Sequence, residues 1–230
     1  MTEPQPLDAA ATREVERDRI LEATLTHVPF DGWTMAALKA GVSDAGFSPD
    51  MAERAFPEGM ADLVDHFGDW TDRMMVAELS EIGMEDLKIR ERIKTAVMTR
   101  LAILTPHHEA VRKALAYLAL PGNQALAARM TYRTVNIMWY EAGDRSTDYN
   151  FYTKRGLLAA VLGSTMLCWL ADGSDDFEDT KAFLDRRIDN VMQIPKATGN
   201  VKKIAKRLPN PFRLARKISA ARSGLAARFG

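Results

Sequence analysis

Apolar residues recur along this chain at spacings of three and four, and no stretch alternates with period two, so the pattern predicts helices and no strands. Ile93, Val97, Leu101 and Leu104 share one helical face, as do Leu158, Leu162, Met166 and Trp169. Pro and Gly fall between the periodic segments, which divides the chain into helices at about 13–28, 34–41, 48–55, 59–82, 85–104, 107–119, 122–141, 148–171 and 175–193. The fold class is therefore all-α, a helical bundle. Gly143 is placed to close one helix in a left-handed cap, Ser146 or Thr147 to open the next, and Asp175 with Glu178 to form a capping box for the last. The longest uncharged stretch, Gly156 to Ala171, is 16 residues. It falls short of the roughly 20 that span a bilayer and predicts a buried helix of a soluble bundle.

Past Pro195 the pattern changes. Gly199 loosens the junction, Pro209 and Pro211 interrupt it, and residues 211–229 projected at 100° per residue place Leu214, Ile218, Ala221, Leu225 and Phe229 in one stripe. Arg213, Arg216, Lys217 and Arg228 lie beside or opposite the stripe, and Arg222 at its edge. Gly224 weakens such a helix by about 1 kcal/mol relative to Ala, so it is expected to firm up on contact. From Lys196 to Gly230 there are ten Lys and Arg and no Asp or Glu, while residues 1–195 hold 21 basic against 31 acidic residues. A formal net charge of zero thus conceals an acidic body and a basic tail. That split addresses the tail to an anionic membrane surface, with Phe212, Arg213, Leu214, Arg216, Lys217, Ile218, Arg222, Leu225 and Phe229 as the binding residues. The organisation expected is a flexible N-terminus at 1–12, a helix-turn-helix-like segment at 13–70, a bundle at 71–195, and a hinge plus amphipathic helix at 196–230.

At 230 residues and 47% hydrophobic content the chain can bury a sizeable core. The single cysteine, Cys168, excludes a disulfide within the chain and fits a reducing compartment. Met1-Thr2-Glu3-Pro4 has neither secretory nor transit-peptide character, which predicts a bacterial cytoplasm, with the tail holding the protein on the inner face of the cytoplasmic membrane. A catalytic set is missing. None of His27, His66, His107 and His108 has a Glu three residues upstream, which argues against a di-iron bundle and any metal site, with His107 and His108 expected near a helix start. There is no Gly-rich phosphate loop, and Ser164 lies inside an apolar helix instead of on a nucleophile elbow. The residues predict no enzyme and no cofactor.

Residues 19–67 resemble the start of a TetR-type regulator through Ile20-Leu21-Glu22-Ala23, Gly32-Trp33-Thr34, Leu38, Ala40, a turn at Gly46, Phe56 and Asp62-Leu63. The groove-entering helix of that family corresponds here to Ser48-Pro49-Asp50-Met51-Ala52-Glu53-Arg54. Residues 1–70 carry 5 basic against 14 acidic residues. A surface of that sign repels phosphate and predicts no nucleic-acid binding by this segment.

The stretch Trp139-Tyr140-Glu141-Ala142-Gly143-Asp144-Arg145-Ser146-Thr147-Asp148-Tyr149-Asn150-Phe151-Tyr152-Thr153-Lys154-Arg155 resembles the signature of the Coq-nine family, accessory proteins of ubiquinone biosynthesis. The likeness continues through Leu157-Leu158-Ala159-Ala160-Val161, Asp176-Phe177-Glu178-Asp179-Thr180, Phe183-Leu184 and Arg187. It also takes in Arg100-Leu101 with Pro106 and Ala119-Leu120-Pro121-Gly122-Asn123, and covers residues 19 to 193. The resemblance implies a TetR-like bundle that has given up DNA, forms homodimers, and holds an isoprenoid or quinone-type lipid beside the hydroxylase of the ubiquinone ring. It implies a partner surface at Met138, Asp148, Phe151, Tyr152 and Arg155, where Phe151 replaces a Trp frequent in eukaryotic members and so lacks the indole donor. Pocket candidates on the central helices are Val97, Leu101, Leu104, Met130, Ile137, Leu158, Leu162, Met166 and Trp169. Methionines number 12, which suits a cavity that must re-pack around a floppy ligand. Two other readings of the residues stay open: a helical scaffold whose tail docks on protein, and a ligand-responsive regulator whose basic tail touches DNA.

Overall fold

The computed structural model describes residues 6–144 and 149–190, and these are helices joined by short turns. The basic tail, with every membrane-binding residue named above, lies outside the described residues, as do Ser146, Thr147 and Asp148. The chain divides into two units, Met1–Asp185 and Arg186–Gly230. Of the second unit only 186–190 is described, and it is helical.

Helix α1 runs from Pro6 to Asp31, well upstream of the expected start at residue 13, with Pro6 in a first turn where no intrahelical N–H is needed. Helix α2, Met35–Asp44, opens on Thr34, whose hydroxyl accepts from the Ala37 N–H at 3.2 Å. Helix α3 is one short stretch, Met51–Ala55. Then come α4, Met60–Ile82, and α5, Ile89–Leu104, with a 3₁₀ turn at Thr105–His107 leading into α6, His108–Ala119. Helices α7, Gln124–Glu141, and α8, Tyr149–Ala171, follow, and α9 occupies 178–190.

The first three helices are sewn to the rest by Trp33. Its indole Nε1 donates to the Ala110 carbonyl of α6 at 3.0 Å, and its ring lies 5.3 Å from that of Phe67 on α4. Helices α1 and α2 cross where Gly41 faces Thr24, so closely that a Cβ on Gly41 would stand 2.1 Å from the Thr24 hydroxyl oxygen. Helix α4 is central. Its buried face, Leu63, Val64, Phe67, Met75 and Leu79, packs against the N-terminal helices and α5, while Asp65, Asp69 and Asp72 form a charged edge toward Arg129 and Arg133 of α7.

Two local expectations are corrected. Asp175 makes no capping bond; it sits in a 3₁₀ turn at Asp175–Phe177. The cap is Asp172, whose carboxylate accepts from the Ser174 N–H and hydroxyl at 2.8 and 2.6 Å and from the Thr180 N–H and hydroxyl at 2.8 and 2.6 Å. The hydroxyl bonds of Ser174 and Thr180 hold its carboxyl well below the usual carboxylate range. Helix α8 is not buried all round either. Leu158, Val161, Leu162, Thr165 and Trp169 face the core, but Gly156, Ala160, Gly163 and Leu167 face outward, Leu167 at 64% exposure. Among the described residues no helix is long and apolar enough to cross a membrane.

Candidate functional site

Between α4, α5, α6, α7 and α8 lies a cavity of about 330 Å³. Phe67, Gly68 and Thr71 of α4 and Arg100 and Leu104 of α5 form its inner wall, and Val111, Ala114, Leu115, Leu118 and Ala119 of α6 one side. Ala127, Met130, Thr131 and Thr134 of α7 with Leu162 and Met166 of α8 complete it. The lining is mostly aliphatic because each helix turns its apolar stripe inward. Four of the sequence candidates line it, namely Leu104, Met130, Leu162 and Met166. Val97, Leu101, Leu158 and Trp169 are plain core, and Ile137 is half-buried away from the cavity.

Beside the cavity lies a buried polar cluster that the sequence reading missed, and Arg100 and Thr134 of it reach the cavity wall. Asp72, 1% exposed, accepts from Arg100 Nε at 3.0 Å and from the Thr134 hydroxyl at 2.8 Å, and lies 3.6 Å from Arg133 Nε. A buried carboxylate persists only with such partners. The signal was present. Asp72 falls on the stripe of Gly68, Met75 and Leu79, and Arg100 on that of Ile93, Val97, Leu101 and Leu104, so each is a charge on an apolar face.

His107 and His108 diverge, as a helix start requires. His107 sets its ring edge-on to Phe67 and Trp70, where burial lowers its pKa, and His108 lies 4.8 Å from the Trp169 ring.

The Trp139–Arg155 stretch is a helix junction with an internal network. Gly143 adopts φ +87°, a left-handed conformation that suits glycine, and closes α7 with its N–H on the Tyr140 carbonyl. Arg92 donates to the carbonyls of Glu85, Leu87 and Ala142, which ties that end of α7 to the turn before α5. Across the junction Lys154 Nζ donates to Asp144 at 2.8 Å and lies 5.5 Å above the Trp139 ring, while Arg155 Nε donates to Asn136 at 2.9 Å. Of the residues assigned to a partner surface, Met138 is fully buried and Arg155 is 5% exposed, so both face inward. Tyr152 on α8 is 71% exposed, and Tyr140, at the end of α7 in the same motif, is 61% exposed. Asp148 and the Phe151 side chain lie outside the described residues.

Residues 124–195 match the family model described as COQ9, and 198 residues are 35% identical to the ubiquinone biosynthesis protein COQ9, mitochondrial, of Homo sapiens. The chain belongs to the COQ9 family. The human alignment covers 83% of this chain and 62% of the human protein. The corresponding Drosophila melanogaster protein is 33% identical over 195 residues, 82% of this chain and 60% of its own length. This COQ9 chain therefore spans less than two thirds of these relatives. It is also similar in fold to the crystal structure of a TetR transcriptional regulator from Nitrosomonas europaea, with a TM-score of 0.62 and 22% identity over 76% of this chain and 97% of that one. Both the Coq-nine likeness and the TetR-like all-α fold are thus borne out. The expected bacterial cytoplasm and cytoplasmic membrane are not, because the relatives are named mitochondrial proteins. Four amino-terminal residues without targeting character were too little to assign a compartment. The COQ9 match itself takes in α7 and α8, hence Met130, Thr131, Thr134, Leu162 and Met166 of the cavity wall.

Proposed function

We propose that this COQ9-family chain is a non-enzymatic accessory protein of ubiquinone biosynthesis that holds an isoprenoid or quinone-type lipid in its bundle and delivers it to the ring hydroxylase. The observation that carries the reading is the aliphatic cavity of about 330 Å³ among α4 to α8, in a chain whose relatives are named for ubiquinone biosynthesis. A polyprenyl precursor is nearly insoluble, so a protein that moves one must cover it. Cavities of this size and lining suit a small apolar ligand or part of a larger one. The exposed aromatic pair Tyr140 and Tyr152 is the docking patch for the hydroxylase, since exposed Tyr supplies large contact area at low entropic cost.

The basic tail holds the protein on an anionic membrane, with Leu214, Ile218, Leu225 and Phe229 among the acyl chains. Each cation near such a surface contributes about 1 kcal/mol, so half of the ten give roughly 5 kcal/mol, enough for reversible recruitment. The protein works as a homodimer through the uncharged outer face of α8. Against a DNA-binding role, α3 turns Met51, Ala52 and Ala55 into the core and exposes Glu53 and Arg54 next to Asp50, which leaves no cationic face for phosphate.

Native mass spectrometry of gently purified protein with identification of the released ligand tests the reading. A prenylated ring compound is the expected result. Recovery of protein with no apolar ligand, which also fails to take one up from vesicles, rejects it.

A further inference from the structure

Gly68 lies inside α4 and is buried, and its backbone is ordinary helix, so neither a turn nor a positive φ calls for glycine there. A glycine inside a helix is less stable than an alanine, which leaves space as its use at this position. A Cβ at Gly68 would stand 2.8 Å from Met130 Cε and 3.2 Å from Arg133 Nη2, both on α7. The thioether methyl of Met130 therefore rests in the slot that the missing side chain leaves between α4 and α7. Gly68 and Met130 both line the cavity, so that methyl is at once a helix contact and a piece of the cavity wall.

We infer that Met130, seated against Gly68, is the adjustable part of the cavity wall and sets how much hydrocarbon the cavity takes. This rests on the lipid-holding reading above and names the two residues that fix its capacity. Met130 is half-buried and unbranched, with a thioether that turns at little cost. Phe67, Leu104, Val111 and Leu162 of the same wall are buried, and none of them can give way without disturbing a close-packed core. Arg129 and Arg133, which flank Met130 on α7, are each held on Asp65 of α4 at 3.0 Å, so the seam beside the slot is already occupied. A methyl pushed out of the slot has the cavity of about 330 Å³ as its free space. Seated against Gly68, Met130 leaves the cavity open; turned away, it fills part of it. Gly68 is thus the positioning residue and Met130 the one that determines which chain lengths fit.

Binding of straight-chain primary alcohols from hexanol to dodecanol, followed by calorimetry, tests the pair. Each methylene that finds room raises affinity about four-fold, so affinity climbs with length until the cavity is full and then levels off. Met130→Ala is expected to move that limit about two methylenes longer, because Cγ, Sδ and Cε leave the wall. Gly68→Ala folds, because both atoms in the way of its Cβ end flexible side chains. It is expected to weaken the longest alcohol that fits by about four-fold or more. In Gly68→Ala/Met130→Ala the added Cβ meets no thioether, and the limit is expected to equal that of Met130→Ala alone. The methyl resonance of Met130 in the unaltered chain, assigned through Met130→Leu, is expected to shift on titration with the limiting alcohol. Four results each overturn the capacity role and leave lipid holding intact: unchanged affinities in Gly68→Ala, the same loss from Gly68→Ala with and without Met130, a Gly68→Ala chain misfolded by circular dichroism, or a methyl resonance that stays put. Binding of no alcohol by the unaltered chain overturns both.

Discussion

Gly41 and His66 show how much single side chains decide here. A Cβ at Gly41 would stand 2.1 Å from the Thr24 hydroxyl and 2.7 Å from Thr24 backbone atoms, and backbone cannot swing aside. Gly41→Ala is therefore expected to cost about 3 kcal/mol by forcing α1 and α2 apart, measurable by urea unfolding, while Gly46→Ala, with nothing within 4 Å, pays only for its positive φ. His66 is 5% exposed, and burial, reinforced by Arg17 and Arg73, lowers its pKa from 6.5 to about 4, although Asp18 Oδ1 at 2.8 Å pulls the other way. The unfolded chain takes up this proton near pH 6.5 and the folded chain only near 4, so the stability it supports is complete above 6.5 and is lost as pH falls toward 4. The loss is on the order of 3 kcal/mol, and His66→Gln is expected to flatten that part of the stability profile relative to the unaltered chain. Neither role was legible in the residue alone. A glycine in a helix and a histidine among acids acquire meaning only from what lies across the interface.

At the scale of elements, periodicity placed the helices well and their ends less well. Asp175 with Glu178 has capping-box spacing, yet Asp172 captures both Ser174 and Thr180 and leaves Asp175 in a 3₁₀ turn. Four competing acceptors within seven residues made the choice a matter of backbone path. Asp172→Ala is expected to lower the melting temperature more than Asp175→Ala, and equal effects would contradict the assignment. Helix α8 taught the opposite lesson. Its uncharged run from Gly156 to Ala171 predicted a buried helix, but one face packs Trp169, Leu162 and Leu158 while Leu167 looks outward. If that face joins two copies, Leu167→Glu is expected to convert dimer to monomer in analytical ultracentrifugation with the helical signal unchanged, because a charge opposed to its own copy is repelled and desolvated.

For the whole molecule the decisive feature is the separation of an acidic body from a basic tail. The 230-residue chain is expected to float with anionic vesicles at low salt and to release as ionic strength rises, since charges beyond a Debye length are screened. A chain ending at Pro195 is expected to stay with the soluble fraction; equal flotation of the two would show that the tail is not what binds. The cavity sits in the body, so the truncated chain should still take up ligand from detergent micelles, which separates anchoring from holding.

What the residues determined by themselves was the helical class, the approximate helix positions, the family likeness and the charge asymmetry, because periodicity, composition and motif spacing are local along the chain. Which stripe residues line a cavity and which are filler was decided by the tertiary structure, since Leu101 and Leu104 share one stripe and only the second reaches the cavity. The same holds for the inward turn of Met138 and Arg155 and for the union of Asp72, Arg100 and Thr134, which come from three helices separated in sequence. Such a union is fixed by the crossing of α4, α5 and α7, and local patterning carries no record of how helices cross.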